Sequence, residues 1–191
     1  TLLVSSTNPI FELGNYQMIN NGEQVVFSGE RYNNSFAPSE LFIVNIDGSG
    51  FRKLHNNQSR DIDSFTVSQD ETKLYFRENL NSTTVEDLFV IDIATGTLTS
   101  LTNLGSSADV TIFGMSPDSS KFLYSADIDT DNVQELYMID SDGSNNIKVG
   151  DIVQSSGDIR SAAFTPDSKY IIYTADDIVD AQYNMYRVEA S

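Results

Sequence analysis

Glu40-Leu41-Phe42-Ile43-Val44 returns as Asp87-Leu88-Phe89-Val90-Ile91, as Glu135-Leu136-Tyr137-Met138-Ile139 and, more worn, as Asn184-Met185-Tyr186-Arg187-Val188. The second residue of each copy, at 41, 88, 136 and 185, sets a period of 47 to 49 residues, the mark of a repeated supersecondary unit. Upstream of three copies lies a second shared element, Ser68-Gln69-Asp70, Ser116-Pro117-Asp118 and Thr165-Pro166-Asp167, with Asn20-Asn21-Gly22 in its place in the first. Six residues after each Asp, or after Asn21, stands an aromatic: Phe27, Phe76, Tyr124 or Tyr173.

Turn chemistry cuts each unit into four short strands. Strand a precedes the Ser-Pro-Asp turn and strand b carries the aromatic just named. Strand c is the Leu-aromatic-apolar segment, ended by Asp47-Gly48, Thr95-Gly96 or Asp142-Gly143, pairs suited to tight hairpins because Gly accepts positive φ. Strand d follows, as in Phe51-Arg52-Lys53-Leu54 and Leu98-Thr99-Ser100-Leu101. One four-stranded antiparallel sheet per unit is the signature of a propeller blade. The chain is therefore expected to be all-β, a β-propeller of four four-stranded antiparallel blades forming a single domain over residues 1–191. The blades fall at about 7–57, 58–105, 106–153 and 154–191 plus strand 1–6.

That last assignment comes from the two ends. The fourth unit stops after strand c, and Thr1-Leu2-Leu3-Val4-Ser5-Ser6 reads like the strand d of Thr97-Leu98-Thr99-Ser100-Leu101-Thr102, so the N-terminal strand is expected to close the last blade. Two other arrangements stay open: half of a larger ring made by a dimer, or a strand-exchanged assembly in which Thr1 to Ser6 completes a neighbour's blade.

Composition agrees with an all-β chain and narrows the partners. Among 191 residues there is no Cys and no Trp, 39% are hydrophobic, and Gly outnumbers Pro by 11 to 4. The 28 acids against 11 bases give a formal charge of -17, with the bases scattered singly. This excludes the basic footprint that nucleic acid or an anionic membrane needs, and favours cations or basic protein surfaces. No apolar run is long enough for a membrane span, and Thr1-Leu2-Leu3-Val4 lacks the basic start of a signal peptide. The absence of Cys suits a reducing cytosol and a secreted protein equally.

The repeated residues resemble the TolB-like propeller family, whose blades carry a Ser-Pro-Asp-Gly turn, an apolar-aromatic strand, an acid-Ile/Leu-Tyr strand and an Asp-Gly turn. The resemblance covers the chain from about Glu12 to Glu189. It implies a propeller fold and a location in the periplasm or outside the cell. It says less about function, since such repeats serve both binding proteins and the accessory propellers of prolyl-oligopeptidase-like enzymes. The chain departs from the pattern where Glu71, Ser119 and Ser168 replace the Gly after the turn Asp, from which we expect that this turn position does not need positive φ here.

Two acidic sets are candidate metal ligands. Nine residues before each turn Asp, or before Asn21, stands Glu12, Asp61, Asp109 or Asp158, at the start of strand a. Converging carboxylates would repel unless a cation satisfied them, and Ca²⁺ is the cofactor that such oxygen ligands admit. The alternative is that each acid caps its own d-to-a loop by accepting backbone N–H bonds, which explains the repetition without convergence. The second set is Asp127, Asp129 and Asp131 on the third b-to-c connection, with the D-x-D-x-D spacing of a calcium loop but neither the Gly nor the Glu of an EF-hand. Asp176, Asp177 and Asp180 hold the matching place in the fourth unit with poorer spacing.

Nothing in the sequence supports catalysis. His55 is the only histidine and reads as a surface loop residue at the end of a strand d, and neither a G-x-S-x-G elbow nor an H-E-x-x-H motif occurs. The aromatics that recur once per blade read as inter-blade packing rather than a sugar platform. The sequons at Asn33, Asn57 and Asn81 matter only if the source glycosylates. The d-to-a and b-to-c connections share one face of a propeller, and here they are long, acidic and different in every unit. Variable loops on a rigid scaffold are where binding resides. The expectation is a non-catalytic binding scaffold whose protein or glycan partner docks on that face. The alternatives are an accessory propeller of a larger hydrolase and a structural subunit that self-associates by strand exchange.

Overall fold

A computed structural model of the chain describes residues 10–31, 39–55, 62, 64–79, 86–104, 109–129, 133–150, 158–176 and 182–191. Apart from one 3-10 turn at Asn20–Gly22, the regular structure among the described residues is strand. The first sheet holds β1 (Ile10–Ile19), β2 (Gln24–Arg31), β3 (Glu40–Asn45) and β4 (Arg52–Lys53) in chain order. The second holds β5 (Phe65–Val67), β6 (Lys73–Asn79), β7 (Glu86–Asp92) and β8 (Leu98–Ser100). The third holds β9 (Val110–Met115), β10 (Lys121–Ala126), β11 (Glu135–Asp140) and β12 (Ile147–Lys148). The fourth has three strands among the described residues, β13 (Ile159–Phe164), β14 (Tyr170–Ala175) and β15 (Asn184–Glu189). Pairing is antiparallel between sequence neighbours, as the turn pattern predicts. Thr1 to Ser6, the expected closing strand, lies outside the described residues.

Register explains why the aromatics recur. Phe27 faces Phe42, Tyr124 faces Tyr137 and Tyr173 faces Tyr186 across strands b and c. These pairs stack with ring centroids 5.5, 5.4 and 5.2 Å apart, and Phe76 stacks on Phe89 at 5.8 Å. Because side chains alternate along a strand, the residues between the aromatics build a second, aliphatic face: Val26, Leu41 and Ile43 in the first blade, Leu123, Leu136 and Met138 in the third.

By contact the chain divides into two units, Thr1–Thr83 with Leu88–Thr99, and Thr84–Asp87 with Ser100–Ser191. In the first, Val26, Leu41 and Ile43 join Leu74, Phe76, Phe89 and Ile91 of the next blade in one core. In the second, Leu123, Leu136 and Met138 join Ile171 and Tyr173, with Tyr186 packed alongside. In both units the aromatic face of one blade covers the aliphatic face of the blade before it, so the Phe76 and Tyr173 pairs pack between blades as expected. Full burial of each such side chain is worth about 1.5–3 kcal/mol.

The turns hold one correction. Glu71, Ser119 and Ser168 all keep positive φ, at 57°, 58° and 59°, although none is Gly. The left-handed residue is required because the backbone closes there, with Glu71, Ser119 and Ser168 N–H donating to Ser68, Ser116 and Thr165 carbonyls at 2.9, 2.8 and 2.8 Å. A side-chain network offsets the strain. The Asp118 carboxylate accepts Ser116 Oγ at 2.6 Å, Ser120 N–H at 3.0 Å and Ser120 Oγ at 2.7 Å, and Asp70 repeats the pattern with Ser68 and Thr72. The c-to-d hairpins behave as predicted, with Gly48, Gly96 and Gly143 at φ 87°, 73° and 89°.

Candidate functional site

Carboxylates rarely enter a protein interior without donors, yet Glu78, Asp87, Asp127, Glu135 and Asp176 are all buried. All five stand where strand b ends or strand c begins, at the roots of the acidic b-to-c loops.

Asp109 and Asp158 precede β9 and β13 directly, Glu12 is the third residue of β1, and Asp61 lies outside the described residues. At Asp109 and Asp158 the main chain is held. The Asp109 N–H donates to Asp127 Oδ1 at 2.7 Å, and the Asp158 N–H donates to Asp176 Oδ1 at 2.5 Å. The Asp176 N–H returns to the Asp158 carbonyl at 3.4 Å. Asp127 and Asp176 are 8% and 3% exposed, whereas Asp109 and Asp158 lie open to solvent. The capping carboxylate is therefore the acid 18 residues downstream. Sequence reasoning chose one column and missed its partner, although the signal was present: Glu30, Asn79, Asp127 and Asp176 follow Glu12, Asp61, Asp109 and Asp158 at that constant spacing. Glu12 also faces Glu30 in the register of β1 and β2.

The third blade shows how far this bracing extends. Ser125 Oγ donates to Gln134 Oε1 at 2.9 Å, and Gln134 Nε2 donates to the Asp109 carbonyl at 3.3 Å. The Asp129 N–H donates to Glu135 Oε2 at 3.0 Å, as does the Tyr137 hydroxyl at 2.8 Å. Burial, reinforced by this bond to a carboxylate, pushes the Tyr137 phenol well above its ordinary range. Lys148 Nζ bridges Glu135 Oε1 at 2.8 Å and Asp129 Oδ2 at 3.1 Å. In the first blade Lys53 meets Glu40 at 2.5 Å in the same way. Asp127 and Asp129 are thus engaged with protein donors, while Asp131 lies outside the described residues. Among the described residues no three His, Asp or Glu side chains gather as a group that could hold a metal ion.

A neighbouring brace lies within the second unit, at the start of β7. Glu86 Oε2 accepts the Val110 N–H at 3.1 Å at the head of β9, and Asp87 Oδ1 accepts Thr102 Oγ1 at 2.8 Å and the Leu104 N–H at 2.9 Å. Both ends of the d-to-a connection between β8 and β9 are therefore held by the first two residues of β7.

His55 departs from its sequence reading. Its side chain is 9% exposed, with Nε2 3.7 Å from Glu78 Oε1 and its ring 6.0 Å from that of Phe76. The end of the first strand d packs against strand b of the next blade, which the loop-like sequence around His55 conceals.

No family model matches this chain, and no curated protein is significantly similar to it. Solved structures are similar to it in fold. TolB from Acinetobacter baumannii superposes with a TM-score of 0.60 at 12% identity, over 98% of this chain and 43% of that protein. An oligogalacturonate lyase gives 0.62 at 17%, over 93% and 48%. Dipeptidyl peptidase 4 from Porphyromonas gingivalis gives 0.65 at 14%, over 94% and 31%. The chain spans less than half the length of each. At such identities the likeness shows the fold, a β-propeller of the TolB-like kind.

Proposed function

We propose that the chain is a non-catalytic binding scaffold that engages a protein or glycan partner through the face bearing the b-to-c and d-to-a loops. The observation that carries this reading is the bracing of loop roots by buried carboxylates, Asp127 on the Asp109 N–H and Asp176 on the Asp158 N–H. A charge-assisted bond at the root of a loop fixes where it leaves the sheet while its sequence stays free to vary. That division suits recognition better than chemistry, which would need a reactive group held among the fixed residues. The acid excess selects partners with basic or cation-bearing surfaces. Hydrogen exchange with and without a captured partner tests the proposal. Protection should fall on residues 127–134, 177–182 and their neighbours, and protection confined to the turns at 68–72, 116–120 and 165–169 would refute it.

A second reading rests on the fold neighbours, which include a lyase and a peptidase longer than this chain. Under it the chain is an accessory propeller of a larger hydrolase. Its test is whether the native reading frame encodes a catalytic domain beside this segment.

A further inference from the structure

Lys148 closes an ionic bridge that, among the described residues, belongs to the third blade. Cross-strand partners share a face, so Lys148, opposite Tyr137 in the register of β11 and β12, lies on the face of Tyr137 and of Glu135 two residues earlier. From there its ammonium group reaches Glu135 Oε1 at 2.8 Å and Asp129 Oδ2 at 3.1 Å. The first blade has the matching pair of Lys53 with Glu40. In the second the matching acid is Asp87, turned to Thr102 and Leu104 instead, and in the fourth Asn184 takes its place. Counted from the aromatic of strand b, the place of Asp129 is held by Tyr32, Asn81 and Ile178 in the other blades.

The three partners differ in what water can do to them. The Glu135 side chain is 4% exposed and both of its oxygens are occupied, Oε1 by Lys148 and Oε2 by the Asp129 N–H and the Tyr137 hydroxyl. The Asp129 side chain is 59% exposed. A pair as open as Asp129 with Lys148 adds little to global stability, because water and salt compete for both charges. Its effect is local. Asp129 stands three residues beyond the end of β10, where the chain has left the sheet, and it is held twice: its N–H on buried Glu135, its carboxylate on Lys148.

We infer that Lys148 is a positioning residue, whose ammonium group fixes the path on which the third b-to-c connection leaves the sheet. Its purpose rests on the loop-face reading above, since a loop root ordered before its partner arrives spares the complex the cost of ordering it. Without the ammonium group Glu135 keeps only neutral donors for a buried charge, and water drawn in to solvate that charge competes for the Asp129 N–H. Loss of Lys148 therefore releases both ties of Asp129. Loss of the Asp129 carboxylate releases one and leaves Glu135 paired.

Amide hydrogen exchange of the free protein, read by NMR, tests this without any partner, so the positioning role and the binding role can fail separately. In Lys148→Met the protection of the Asp129 amide should fall by about tenfold or more, the loss of a bond to a charged acceptor read through local opening. Lys148→Arg keeps the charge and should restore the protection. Asp129→Ala should loosen the amide at 129 less, leave the amides of β10 and β11 as protected as in wild type, and keep the denaturant midpoint. In about 1 M salt, where the screening length is about 3 Å, the wild type should move toward Asp129→Ala and no further, because the nearly buried Glu135–Lys148 pair is screened much less. Wild-type protection of Asp129 in Lys148→Met overturns the inference, as does a loss that is equal at Asp129 and along β10 and β11. Should Lys148→Met fold poorly, Asp129→Ala decides, and unchanged protection at 129 in that variant refutes the role.

Discussion

The Asp127 carboxylate accepts the backbone N–H of Asp109 at 2.7 Å, and the pair acts through opposite parts of two like residues. One contributes a buried side chain and the other a peptide group, so their mutational costs should differ sharply. Asp127→Ala leaves a loop-root N–H without its acceptor and should cost about 1–3 kcal/mol, while Asp127→Asn keeps an acceptor oxygen and should cost less. Asp109→Ala preserves the peptide and should stay within about 0.5 kcal/mol. Urea unfolding of the three variants measures the order, and equal losses at 109 and 127 would show that the Asp109 side chain also matters.

Acid should weaken the protein through its turn aspartates. Ser116, with Ser120, holds Asp118 down to about 2, and Asp70 and Asp167 are lowered by the matching Ser68 and Thr165. A carboxylate whose folded value lies below its unfolded one contributes stability that is complete above about pH 4 and lost as pH falls through the folded value. Unfolding should therefore begin below about pH 4 and deepen toward pH 2. Ser116→Ala should raise the Asp118 midpoint, seen by carboxyl NMR titration, and move the acid transition to higher pH.

The left-handed turn residues give a stabilising substitution. Ser168 holds φ at 59°, a conformation that costs a side-chain-bearing residue about 1–2 kcal/mol. Ser168→Gly removes that strain but adds unfolded-state entropy and loses a 3.3 Å bond from the Asp118 N–H. Net stabilisation of about 0.5 kcal/mol is expected, raising Tm by roughly 1–2 °C in a scanning calorimeter.

How much of this was legible in the sequence depends on the range of the interaction. The strands, hairpins and aromatic pairs follow from local chemistry repeated four times, and the period alone carried them. Positive φ at Glu71, Ser119 and Ser168 was misread because residue type reports preference, while the Ser-Pro-Asp network that overrides it is made by neighbouring side chains. The loop-root acids were half legible, since spacing exposed both columns but only register shows which member donates and which accepts. His55 was misread because its burial depends on the next blade, at a distance that loop composition does not encode.

One position, read in three blades, separates local pattern from packing. Leu41, Leu136 and Met185 occupy the same place in strand c, and the sequence treats them as equivalents. Leu41 and Leu136 are fully buried, each beneath the aromatic face of the following blade, so truncation to Ala removes apolar contact and leaves a cavity costing about 2–5 kcal/mol. Met185 is 74% exposed, and Met185→Ala in dilute protein should change stability by less than about 0.5 kcal/mol. Denaturant midpoints of the three Ala variants supply the comparison, and a large loss for Met185→Ala would mean that its side chain is packed as those of Leu41 and Leu136 are.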